Sequence, residues 1–421
     1  MPDNKKPSLR RAGVAELDVW GVEASPFLLK VEALLRYRGV GFRRLPRDGG
    51  RWENMVTALR LEHARRKKRV RRFPAMDSLD EYPAVPYLII GGREFQYDSS
   101  GIALWLDTQR DPAEGPFFPE DPVTGFIAHL IDEAFDEYGL YMVHHQRWVC
   151  SAADNVMGEV TAAEMARLLP PPFSSRLRVD LPRRQVRRCP YLFSVAPAGY
   201  QAMVEPLRVP PSRPGFPATH DLLEDSWHSY VMAVEQLLAV QPYLLGEQFT
   251  AADASAYGQL GMNLIDPSTA ANLERLAPRT WRWLLDIRDG KHRGATGELE
   301  VRPALRPLLT IIMQTFAPLM VQNERAYQRA VDAGETVFNE AAFNRGAALY
   351  EGELLGRPFR SVAKTFQVSV WRALCARWRR LDAAARCELA AILPDARLFE
   401  AGESPQALDP GPARGRRQGT L

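Results

Sequence analysis

The chain has 421 residues, enough for two or three domains with cores of their own, and its hydrophobic (46%) and charged (25%) fractions are those of an ordinary globular protein. A net charge of +3 supplies no bulk field that would draw in nucleic acid or an anionic membrane. The four cysteines, Cys150, Cys189, Cys375 and Cys387, form no CxxC pair and stand in no zinc-ligand spacing with the histidines. Free thiols in a reducing, cytoplasmic compartment and no bound metal are therefore expected.

The opening "MPDNKKPSLRRAG" is charged and lacks the apolar stretch of a signal peptide. Leu17 to Val22 reads as a buried strand. It breaks at Ala24-Ser25-Pro26, and apolar residues then recur at Phe27, Val31, Leu34 and Leu35, one face of an amphipathic helix. Ser25 is placed to cap that helix, Pro26 suits its first position, and Gly39 sits where a C-cap glycine belongs. "VGFRRL" predicts a short second strand, and residues 52–72 a helix ending in a basic run.

Tyr87 to Ile90 reads as a strand, Gly91-Gly92 as a two-residue hairpin turn, and Glu94 to Tyr97 as the return strand. Pro86, entering a strand, cannot donate to the ladder and belongs at its start. Asp98, Ser99 and Ser100 supply N-cap chemistry for a helix whose buried face includes Ile102, Trp105 and Leu106. The amides that open such a helix can hold a carboxylate. The order is β-α-β-α-β-β-α, an α/β unit.

"RDPAEGPFFPEDP" is a Pro-rich linker, and beyond it strand signals largely stop. Residues 123–150 and 221–290 read as helices. Between them, residues 168–217 are rich in Pro and Arg with little periodicity, and are expected as a surface insertion. Residues 300–400 are expected to be helical. Their most apolar stretch, "PLLTIIMQTFAPLMV", is shorter than the roughly 20 apolar residues that span a bilayer and is read as a buried helix, so no membrane is expected. Residues 403–421 read as a disordered tail.

At this point the chain resembles a known family. "SPFLLKVEALLRYRGV" is similar to the first helix of the cytosolic glutathione transferases, and "VPYLIIGGREFQYDSSGIALWLD" to their cis-proline, hairpin and glutathione-binding segment. "YLLGEQFTAADASAYGQL", residues 243–260, resembles a buried capping box of their helical domain, with Thr250 as cap, Asp253 reaching back and Phe249 stapling onto the helix. The resemblance implies a thioredoxin-like α/β domain over 15–110 and an all-helical domain over 121–290. The insertion at 168–217 interrupts the second, and an additional helical extension covers 300–400.

The resemblance also implies a function: glutathione as cosubstrate, its thiol ionised by the Ser25 hydroxyl and a helix N-terminus for attack on a hydrophobic electrophile. Val85 and Pro86 would pair with the cysteinyl part of glutathione, and Asp98 and Ser99 would hold its γ-glutamyl end. Trp20, Phe27, Tyr138, Tyr141, His145 and Trp148 would wall the electrophile site, with core packing as the competing role for each aromatic. The absence of cysteine from the first domain argues against mixed-disulfide chemistry. The family usually dimerises, so a homodimer is expected. The competing function is a non-catalytic binding or scaffold module on the same fold. The run "RLEHARRKKRVRR", residues 60–72, has no interleaved aromatic residues to stack bases and is read as a solvated face, not a nucleic-acid site.

Overall fold

The computed structural model describes residues 17–67, 69–70, 85–111, 114–196 and 213–400. Its first unit runs β1 (Leu17–Trp20), α1 (Pro26–Tyr37), β2 (Arg43–Leu45), α2 (Arg51–Arg66), β3 (Tyr87–Ile90), β4 (Glu94–Tyr97) and α3 (Ser99–Thr108). The sheet order is β2-β1-β3-β4, with β1 parallel to β2 and antiparallel to β3. Gly91 and Gly92 turn the β3–β4 hairpin at φ 57° and 66°, values that side chains disfavour.

Strand alternation gives the sheet two apolar faces. Leu17, Val19 and Leu88 join the main core with α1 and α3. Tyr87, Ile89 and Phe95 pack on Leu61 and Ala64 of α2, with Trp20 beside them. Val31, Leu34 and Leu35 of α1 are fully buried, as their spacing predicts, but the first place on that face is taken by Leu28, while Phe27 is half-buried. The basic run lies partly on α2, where Arg65 and Arg66 pair with Glu62; residues 68, 71 and 72 fall outside the described residues.

The helical part begins with α4 (Pro122–Ala134), which continues through a π turn (Phe135–Gly139), α5 (Leu140–His145) and a second π turn (Gln146–Cys150). There follow α6 (Met157–Met165), α7 (Phe173–Leu192), α8 (His220–Leu237), α9 (Ala251–Leu260), α10 (Pro267–Leu276) and α11 (Pro278–Arg288). The expectation of little periodicity in residues 168–217 is thus corrected for its first half. Residues 173–192 form α7 despite Pro182 and Pro190, because Pro182, Val186 and Cys189 recur at helical spacing and are buried against α6. Residues 197–212, the rest of that stretch, lie outside the described residues.

Asp253 of α9 reaches back to the Thr250 amide at 2.9 Å and accepts from the Leu244 amide at 2.7 Å, as the capping motif predicts. Phe249 stacks on Tyr37 of α1 at 5.3 Å, so the cap is stapled across the two domains.

The last hundred described residues form α12 (Arg306–Gln314), α13 (Phe316–Asp332), α14 (Glu340–Arg345), β5 (Leu349–Leu354), β6 (Arg357–Val362), α15 (Thr365–Arg380) and α16 (Ala383–Ile392). The extension is mostly helical, as expected, but also holds a hairpin that was not expected. β5 and β6 pair antiparallel about a Leu355-Gly356 turn, both residues at positive φ. Residues 303–332 are long and apolar enough to cross a membrane by length and composition, but 61% of that apolar window is buried within the protein. The stretch breaks at Thr315, whose Oγ1 lies 2.9 Å from the Tyr230 hydroxyl of α8. α15 packs on α4, and Phe126 meets Trp378 and Phe399 edge-on. The tail at 403–421 lies outside the described residues.

Candidate functional site

A cavity opens where three parts of the chain meet. Its floor is the sheet end: Val85 and Pro86 before β3, Tyr97 at the end of β4, and Asp98, Ser99 and Ser100 at the start of α3, with Phe27 of α1 beside them. The long helix supplies Glu133, Asp136, Glu137, Leu140 and Tyr141. α7 contributes Arg188, Tyr191 and Leu192, and the extension closes the side with Lys364, Phe366, Gln367 and Val370.

Local geometry explains the floor. The Val85-Pro86 bond is cis. Asp98 caps α3 by accepting the Gly101 amide at 2.8 Å, and Gln96 donates to the Gly101 carbonyl at 2.8 Å. The amides of Ser99 and Ser100, in the first turn, have no intrahelical acceptor and face the positive end of the helix dipole outward. Burial pushes the Asp98 carboxyl up to about 7; the Gly101 amide and Lys30 oppose that shift without cancelling it.

Beneath the floor lies a buried ion network. Lys30 of α1 is fully buried, with Nζ 2.7 Å from Asp132, 2.6 Å from Asp136 and 2.8 Å from the Ser100 hydroxyl. Burial alone would pull the ammonium down, but the two carboxylates outweigh it and hold Lys30 above its usual range. Asp136 also accepts from Ser255 at 2.6 Å and lies 3.4 Å from the Ser99 hydroxyl. Glu133 is buried beside them. Burial first, then Asp132 and Asp136, push its carboxyl well above the usual range.

Tyr141 anchors the opposite wall. Lys364 donates to its hydroxyl at 2.9 Å and Gln367 at 2.7 Å, while its ring stacks on Phe193 at 5.1 Å. The extension therefore positions this residue directly.

Of the residues singled out in the sequence, Val85, Pro86, Asp98, Ser99, Phe27 and Tyr141 come together in the cavity, and five others do not. Ser25 is 8% exposed, and its hydroxyl makes no capping hydrogen bond; it stands at the start of α1 but outside the cavity lining. Trp20 is turned by strand alternation onto the α2 side of the sheet. Tyr138 is fully buried, bonded to Ser226 at 2.8 Å and packed on Tyr230, so core packing claims it. Trp148 is buried beside His144, and His145 is fully buried against Glu224.

The helix face that does line the cavity was legible. Glu133, Asp136, Glu137, Leu140 and Tyr141 recur at i, i+3, i+4, i+7 and i+8. Following the aromatic residues of that helix selects a different face.

No known protein family and no curated protein matches the chain. Among solved structures, a beta-etherase from Sphingobium sp. is 16% identical, with 69% of this chain and 98% of that one covered and a TM-score of 0.37. A glutathione S-transferase-like protein from Pseudomonas syringae is 15% identical, covering 67% of this chain and 70% of its own, at 0.36. A glutathione S-transferase from Rhodospirillum rubrum is 15% identical, covering 70% and 92%, at 0.35. By its own sheet order and the helices that follow, the chain has a thioredoxin-like α/β domain, then a helical domain, here closed by a third unit.

Proposed function

We propose that the cavity binds glutathione and presents its thiolate to an apolar electrophile. The observation that carries this reading is the juxtaposition, at one end of one cavity, of the α3 amides with the carboxyl groups of Asp98, Glu133 and Asp136. An α-amino acid end group is a carboxylate beside an ammonium. The Ser99 and Ser100 amides suit the first, and the acidic cluster suits the second. Val85 lines the cavity, and its backbone would pair with the cysteinyl part. Phe27, Leu140, Tyr141, Leu192, Phe366 and Val370 offer an apolar wall for the electrophile.

Ser25 is the candidate for thiol activation. A free thiol has a pKa of ~8.5, and lowering it by ~2 units takes about 2.7 kcal/mol of differential stabilisation. A hydrogen bond to a charged acceptor supplies roughly 1.5–3 kcal/mol and a helix N-terminus roughly 0.3–1. The Ser25 hydroxyl at the start of α1 would supply both once turned toward the bound sulfur. The thiol proton leaves to solvent, the sulfur bonds to carbon, and the leaving group departs with its electron pair.

A second reading, binding without chemistry, is favoured by the position of Ser25 outside the cavity lining. One titration separates the two. The ultraviolet thiolate band of bound glutathione is followed against pH in wild type and in Ser25→Ala, alongside calorimetric affinity. Activation predicts a midpoint well below that of free glutathione, moving up in the variant. Affinity with an unshifted midpoint leaves a binding module, and no measurable affinity removes both readings.

A further inference from the structure

Away from the cavity, the end of α5 and the start of α8 bring three metal-binding side chains together, His145, His220 and Glu224, and the second π turn sets Cys150 against His145 and Glu224. One donor atom each from His145, His220 and Glu224 lies within 4.8 Å of the others. Cys150 Sγ is 3.6 Å from His145 Nε2 and 2.6 Å from Glu224 Oε1, and His145 Nε2 is 3.1 Å from that same oxygen. The two imidazole rings stand edge to face with centroids 4.8 Å apart.

The backbone is arranged for this. His220 and Glu224 are at i and i+4 on α8, hence on one face. His145 and Cys150 are five apart, which on an α-helix of 3.6 residues per turn would leave them about 140° out of register. The π turn removes most of that offset: the Ser151 amide reaches back five residues to the Gln146 carbonyl at 2.8 Å, and Cys150 comes round over His145. Such single π turns concentrate at functional sites.

We propose that His145, Cys150, His220 and Glu224 form a zinc site. Two imidazole nitrogens, one sulfur and one carboxylate oxygen are a ligand set that zinc accepts in tetrahedral geometry. Bond lengths of ~2.0–2.1 Å to nitrogen and oxygen and ~2.3 Å to sulfur place such ligands roughly 3.3–3.6 Å apart. The 3.6 Å His145–Cys150 separation already matches that spacing, and the 3.1 Å His145–Glu224 separation is about 0.2 Å short of it. The 2.6 Å sulfur–oxygen contact is tight for an atom as large as sulfur, and a metal between the pair would space it to about a further ångström. Cys150 is exposed and the Glu224 side chain is 34% exposed, so an ion has a path in, while His145 is fully buried and fixed. Binding ionises the Cys150 thiol, and its proton leaves to solvent.

A cluster held only by hydrogen bonds is the alternative, with Glu224 accepting from His145, Cys150 and Gln146. Spectroscopy distinguishes the two. The purified full-length chain is stripped with chelator and titrated with Co²⁺, then competed with Zn²⁺. The expected result is one equivalent of bound Co²⁺ with a tetrahedral visible spectrum and a sulfur-to-cobalt charge-transfer band, displaced by Zn²⁺. Cys150→Ser should abolish the charge-transfer band. Glu224→Gln should weaken binding by at least about tenfold, since even outer-shell changes cost 10–100-fold. Both residues are solvent-accessible, so circular dichroism should show both variants folded. No Co²⁺ uptake by the folded chain, or a charge-transfer band that survives Cys150→Ser, would overturn the assignment.

Discussion

Lys30 is a fully buried ammonium whose partners are two carboxylates from the helical domain and a hydroxyl from α3. Removing one partner of a buried ion pair is costly because the other charge stays behind, typically about 3–5 kcal/mol. Lys30→Met is therefore expected to lower unfolding stability by about that much in urea. A loss below about 1 kcal/mol would mean that Asp132 and Asp136 take up protons and need no counter-charge. His292 gives the pH prediction. It is 2% exposed, bonded through Nε2 to the Ala33 carbonyl at 2.9 Å, and burial pushes its imidazole down to about 4. An unfolded histidine takes up its proton near 6.5. Between pH 6.5 and about 4 the unfolded chain thus binds a proton that the folded site refuses, and stability falls as pH drops through that interval. His292→Gln should flatten this dependence by at most about 3 kcal/mol, read from urea midpoints across the interval. His129 and His144 are shifted the same way, so their contributions cancel in the comparison.

Helices announce themselves through spacing, and most of those here were legible for that reason. α1 and α3 follow from apolar period and helix-start residues, and the Thr250 cap from its motif together with the family resemblance. Val85, Asp98 and Ser99 were legible because a strand start and a helix start are local chemistry. Other features depend on contacts the chain makes only when folded. The run of arginines and two prolines in α7 hides a buried stripe that becomes visible against α6. Lys30 and Asp136 are far apart in sequence and meet across a domain boundary, so neither could be placed beforehand. A π turn has no sequence period at all, which is why His145 and Cys150 read as unrelated. One element contact makes a sharp prediction. Gly258 of α9 faces the start of α1, and a Cβ there would lie 2.7 Å from the Pro26 carbonyl oxygen and 3.0 Å from Lys30 Cβ. Backbone on one side cannot yield as a flexible side chain would. Gly258→Ala should cost about 1–3 kcal/mol and shift the helix that carries Ser25 and Phe27. Glutathione affinity should fall with it. A variant with wild-type stability and affinity would show that the two helices slide apart freely.

The extension is not a separable appendage. Leu28 of α1, Leu130 of α4, Trp227 of α8 and Phe316, Trp371 and Phe399 of the extension belong to one continuous buried cluster. Independent domains within a chain usually meet through smaller, more polar contacts and keep cores of their own. Here Phe126 on α4 is 3% exposed and meets Trp378 and Phe399, and the cavity wall at Tyr141 is held by Lys364 and Gln367. Removing residues 301–421 would uncover the apolar flank of α4 and release the Tyr141 hydroxyl from both donors. A buried aromatic side chain represents roughly 1.5–3 kcal/mol of transfer free energy, and several are exposed at once. That loss is comparable to the whole stability of an ordinary domain, about 5–15 kcal/mol. Calorimetry of the full chain should therefore give a single unfolding transition, with no early step belonging to the extension. A chain ending at residue 300 should lack native near-ultraviolet dichroism. Two resolved transitions, or a truncated chain with native dichroism and glutathione affinity, would mean that the third unit caps a fold already complete without it.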